Sequence, residues 1–85
     1  MTERRILEEM VRVLETHGIE VRHEVLGGRG GGLCTIQGRA VLFLDDQASV
    51  EDQLEVCAEA AAKVVDLETC YLKPQVREYM EEHSG

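Results

Sequence analysis

One cysteine stands where a thiol could do chemistry. Cys34 follows five glycines set around a single arginine, Gly27-Gly28-Arg29-Gly30-Gly31-Gly32. Backbone N–H groups exposed by such a loop, together with the Arg29 guanidinium, favour an anion. The same surroundings favour a thiolate, the reactive form of cysteine. Gly28, Arg29, Gly30, Gly31 and Cys34 are therefore the candidate ligand-binding residues. Two facts pull the other way. Phosphate-gripping loops gain much of their strength by running into a helix N-terminus, whereas this one runs into a strand pattern and fits neither the Walker nor the dinucleotide spacing. Cys34 also lacks a nearby resolving cysteine, and cysteine is among the most commonly buried residue types. A tight strand connection and a packed strand residue are the favoured readings.

His17, His23 and His83, with Cys34, Cys57 and Cys70, supply the soft metal ligands. None shows the short ligand spacings of a zinc site, so no metal and no cofactor is expected. Cys57 falls on a helical apolar stripe and reads as core, while Cys70 stays open. His17 sits near a helix C-terminus, where the charged imidazole is favoured, and His23 reads as a hydrogen-bonded packing residue on the inward side of a strand. Asp45, Asp46, Glu51 and Asp52 form an acidic cluster of the kind that serves acid–base chemistry or holds a divalent cation. Without a partner base, a solvated loop is the better reading.

The elements that must position these residues follow from periodicity. Ile6, Leu7, Met10, Val11 and Leu14 recur at helical spacing over residues 3–16, with Thr2 as cap and Gly18 as stop. Residues 19–26 switch to period two, placing Ile19, Val21, His23 and Val25 on one face. Residues 33–36 and 39–44 predict a hairpin about Gln37-Gly38. The apolar run Ala40-Val41-Leu42-Phe43-Leu44 predicts a strand near the sheet's middle, covered on both faces. Ser49, with Asp52 three residues on, opens a second helix whose stripe is Leu54, Cys57, Ala58, Ala61, Val64 and Val65. Residues 66–73 read as turn or short strand. Pro74 opens a third helix with a narrow edge of Val76, Tyr79 and Met80, free to dock on the sheet or on another chain. The expectation is one small α+β domain over residues 1–85, ordered α-β-β-β-α-α, with a three-stranded, mainly antiparallel sheet.

Charge narrows the partners. The chain has 85 residues and a formal net charge of -8, and residues 45–85 carry eleven acids against three bases. Such a surface repels phosphate backbones, so nucleic acid is not the expected partner. No segment has the length of a membrane span or an apolar signal core. Three unpaired cysteines fit a reducing compartment, so the expected location is cytoplasmic.

Residues 7–65 resemble the N-terminal half of the ImmA/IrrE zinc metallopeptidases. The shared pattern is a helix ending in Gly18-Ile19-Glu20-Val21, a glycine-bearing loop, a hairpin ending in Val41-Leu42-Phe43-Leu44-Asp45, and a polar stretch leading into an apolar helix. In that family the helix carries His-Glu-x-x-His, which holds zinc and the general base. Here the equivalent stretch is Ala58-Glu59-Ala60-Ala61-Ala62, so Glu59 alone matches and both histidine positions are alanine. The resemblance implies the scaffold without the protease. The chain also resembles short bacterial proteins with a Gly-Gly-Arg-Gly-Gly-Leu-Cys-like segment, a likeness that brings no activity. The leading expectation is a non-catalytic protein-binding or scaffold module, a homo-oligomer or a subunit of an assembly. The alternatives are a small thiol-dependent enzyme or redox sensor using Cys34, or a module that grips a phosphate or other anion.

Overall fold

A computed structural model describes residues 2–28, 31–66 and 70–83, with His83 described by its backbone alone. The first helix, α1, spans Glu3–Thr16. The Thr2 hydroxyl oxygen accepts from the Arg5 backbone N–H. At the other end Gly18, at φ +83, lets the Ile19 N–H reach Leu14 O and the Gly18 N–H reach Glu15 O. This paired closure satisfies the last carbonyls of the helix. It also turns Ile19 back onto Leu14, so both are buried.

Three strands follow, β1 (Glu20–Glu24), β2 (Gly31–Ile36) and β3 (Arg39–Asp45). Gln37 at φ 51 and Gly38 at φ +79 make the tight turn between β2 and β3. Positive φ at both positions matches the twist of a two-residue hairpin. The order across the sheet is β1-β3-β2, so β3 is central as its apolar run predicts. β2 pairs with β3 antiparallel, but β1 pairs with β3 parallel, from Glu20↔Val41 to Glu24↔Asp45. The sheet is thus mixed, with one antiparallel and one parallel pairing. Because β1 and β2 flank β3, the chain between them must pass over the C-terminal end of the central strand.

The second helix, α2 (Val50–Val64), is capped by Ser49, whose hydroxyl accepts from the Asp52 N–H at 3.1 Å. It buries Leu54, Cys57, Ala58, Ala60 and Ala61. Val64, expected on that stripe, is 37% exposed. The small alanines let α1 come close alongside, which the long aliphatic side chains of an ordinary stripe would prevent. Residues 70–73 are irregular, not a strand; residues 67–69 lie outside the described residues. The third helix, α3 (Pro74–His83), buries Val76 and Met80 against α1 and α2, and so does not cover the sheet.

Leu42 and Leu44 of β3 point into the core shared by all three helices. α1 and α2 pack on that one side, so β3 is covered by helices on a single face, not on both. α3 is tied to α1 by Lys73, whose Nζ donates to Glu9 Oε1 at 3.0 Å. Arg5 and Arg12 stand 4.0 Å from the same carboxylate. Glu9 is therefore covered by long basic side chains and not by packed core. The Lys73 hydrogen bond leads in holding its carboxyl below the ordinary value of 4.5, against the opposing effect of desolvation. A lowered native pKa stabilises the fold above the unfolded value, and that gain is lost as pH falls through the native one. Urea midpoints for wild type and Lys73→Met should therefore converge as the pH is taken from 7 to below 4. A gap that stays constant with pH would contradict the pairing.

Candidate functional site

The side of the sheet away from the helices is open. Strand alternation and register place Glu20, Arg22 and Glu24 of β1, Val41 and Phe43 of β3, and Gly32, Cys34 and Ile36 of β2 on it. Phe43 is half-buried, Ile36 is 43% exposed and Cys34 is exposed. The Arg22 guanidinium lies 5.8 Å from the centre of the Phe43 ring, within cation–π reach. It is flanked by Glu20 and Glu24, each 3.6 Å away. Val41 is buried on this face and lies outside the helix-side core. An open groove of about 450 Å3 runs between Leu26, Gly32, Cys34 and Phe43. Gly32 is its floor, since no atom lies within 4 Å of where a Cβ would stand.

The structure brings only part of the expected site together. Gly31 and Cys34 line the groove and Gly28 lies in the preceding loop at φ +83; Arg29 and Gly30 lie outside the described residues. Cys34 is exposed, contrary to the packed residue favoured by its type, because no helix covers its side of β2. Cys57 is buried as expected, and desolvation pushes its thiol up to about 12. Cys70 is half-buried, with its thiol 3.7 Å from Tyr71 O.

Gly31 has a structural reason for its identity. Its φ is +108, and a Cβ there would lie 1.9 Å from Phe43 O. The crossing chain meets the central strand at this point, backbone on backbone.

Asp45 is where sequence reasoning missed a role. Its place in an acidic run predicts a solvated loop, yet it is fully buried. Its Oδ1 accepts from the Leu26 N–H at 3.0 Å and the Gln47 N–H at 2.9 Å. It thereby pins the crossing loop to the end of β3. The second contact is the local turn in which an aspartate binds the N–H two residues on. That turn was the available signal. Asp46 is exposed and meets His23 Nδ1 at 3.2 Å, so His23 is hydrogen-bonded but half-exposed, not packed inward. Val25, past the end of β1, is 68% exposed. His17 caps α1, with Nδ1 2.9 Å from Val13 O.

His23 and Asp46 line a separate cleft of about 400 Å3 with Arg4, Glu8 and Gln53. Among the described residues no three His, Cys, Asp or Glu side chains converge as a group able to hold a metal ion. On α2, Ala58 is buried while Glu59 and Ala62 are exposed. Among the described residues no helix is long and apolar enough to cross a membrane.

No protein-family model, no curated protein and no solved structure matches this chain. The chemistry of its surfaces must therefore carry any functional reading.

Proposed function

We propose that the chain is a non-catalytic protein-binding module that presents the open face of its sheet to a protein partner in the cytoplasm. The observation that carries this reading is the one-sided packing. All three helices are spent on one core, and Phe43, Cys34 and Leu26 are left around a shallow groove, with Ile36 exposed on the same face. A single aromatic among smaller apolar groups, rimmed by charge, has the composition of a binding hot spot. The acidic surface elsewhere suits a partner with basic groups near its contact patch. The likeness to a metallopeptidase scaffold is compatible with this proposal, because Ala58 and Ala62 stand where that family carries its zinc-binding histidines.

One observation favours a second reading. Cys34 is exposed within the groove, as a thiol-dependent activity would require. The binding reading is preferred because Cys57 lies in the helix-side core and so cannot resolve a Cys34 intermediate without unfolding.

The test is retention of proteins from a bacterial lysate by immobilised wild type, Phe43→Gln and Leu26→Gln, each checked for its fold by circular dichroism. Specific partners should bind the wild type and be retained at least about tenfold less by Phe43→Gln, the loss typical of an interface aromatic. An identical set of retained proteins on all three would overturn the proposal.

A further inference from the structure

The two edges of the sheet differ in kind. The β1 edge carries Glu20, Arg22 and Glu24. The β2 edge reads Gly31-Gly32-Leu33-Cys34-Thr35-Ile36, with neither charge nor proline. Its register with β3 runs unbroken from Gly31↔Leu44 to Ile36↔Arg39, so there is no bulge. Proteins commonly block an edge by one of these three devices, and β2 uses none. Among the described residues no strand pairs with its outer side. Ile36 and Arg39 flank the two-residue turn and exchange their backbone bonds. The alternation then turns the N–H and C=O groups of Gly31, Leu33 and Thr35 outward.

We infer that a second copy of this chain adds to that edge, β2 against β2 and antiparallel, about a two-fold axis at Cys34. This rests on the protein-binding reading and names one partner of the same sheet. In this register Leu33 faces Thr35 of the second copy, which joins outward backbone groups to outward backbone groups. Ile36 faces Gly32 of the second copy, so an exposed branched side chain meets the gap over a glycine, and symmetry repeats the fit. Charge selects the same edge. A chain of net charge -8 repels its own copy, yet the rows that cross this seam are Val41-Cys34 and Phe43-Gly32 meeting Cys34-Val41 and Ile36-Arg39. Glu20 and Glu24 stay at the outer rims of the six-stranded sheet. Six residues on each side bury less than the ~1,200 Å2 of a standard stable interface. The dimer is therefore weak and depends on concentration.

Two measurements test it together, on the full chain with Cys57 and Cys70 replaced by serine. The first is sedimentation of this chain and of its Thr35→Lys variant, the fold of both checked by circular dichroism. The second is cross-linking by diamide, which is reduced to its hydrazine as two thiols give up two protons and two electrons to form one Sγ–Sγ bond. Opposed Cys34 residues in a non-hydrogen-bonded pair have Cα atoms about 4.5 Å apart, within disulfide reach. The expected results are a mass that climbs toward twice that of the chain with concentration, and a Cys34–Cys34 cross-link. Thr35→Lys should lose both, because it sets two like charges beside the seam. A mass that never rises, or a dimer indifferent to Thr35→Lys, would overturn the inference. A monomer that still retains lysate proteins through Phe43 defeats self-pairing alone. A dimer whose Phe43→Gln variant retains every protein defeats the open-face reading alone.

Discussion

Replacing Gly31 by alanine is expected to cost more than about 3 kcal/mol, the sum of a backbone conformation reserved for glycine and a clash with main-chain atoms. A Cβ at Gly31 would lie 1.9 Å from Phe43 O and 2.7 Å from Phe43 C, neither of which can swing away as the end of a side chain can. To admit it, β2 must separate from β3 at its first residue pair, Gly31↔Leu44, and Leu44 is fully buried beside that point. For a chain of 85 residues the whole stability is of the order of 4–13 kcal/mol. The variant is therefore expected to unfold at a much lower urea concentration, or to fail to fold. Gly32→Ala is the matched comparison. Its new methyl meets nothing within 4 Å, and alanine gains about 0.5–1 kcal/mol over glycine inside a strand by restricting the unfolded chain. Urea midpoints that fall alike for the two variants would show that the close approach at Gly31 is not real.

The second large effect is at Asp45. Its Oδ1 takes two backbone N–H groups, one from the crossing loop and one from the turn after β3. Asp45→Ala leaves both donors without that acceptor in a place the side chain itself fills completely. Each stranded donor costs about 1–3 kcal/mol, less where water can enter. A total near 2–4 kcal/mol is expected, since Leu26 is 36% exposed. Asp45→Asn keeps the accepting oxygen and should lose about half as much or less. Amide hydrogen exchange gives an independent view. Leu26 and Gln47 should lose protection in Asp45→Ala, while Ile19 and the α1 amides keep theirs at equal global stability. Equal urea midpoints for alanine and asparagine would contradict the role given to the oxygen.

These two residues also show how far the sequence could be read. α1, the hairpin turn, the centrality of β3 and the Pro74 start of α3 were legible, because each follows from a local pattern: helical spacing, a Gln-Gly turn, an apolar run, a proline. The parallel pairing of β1 with β3 was not. It depends on a chain crossing from one edge of the sheet to the other, and nothing local marks which edge a strand will take. Gly31 was visible only as one glycine in a run, since the need for it comes from Phe43, far away in sequence. Asp45 was grouped with Asp46 because adjacent acids look alike in a string, although one ends a buried strand and the other faces water. The exposure of Cys34 turned on the position of α3. Had that helix lain on the open face, Cys34 and Phe43 would both be core. Residue type favours burial for cysteine, and only the placement of a helix 40 residues later decides against it.

The measurement that bears most directly on the open face is iodoacetamide labelling of Cys34 and Cys57, with the chain dilute, alone and then saturated with a partner recovered from lysate. Cys34 should label readily in the isolated chain and slow in proportion to the fraction bound. Cys57, buried and with its thiol raised to about 12, should stay unlabelled until the chain is denatured. If Cys34 is protected in the isolated chain, or labels equally fast in the complex, the open face of the sheet is not the surface that binds.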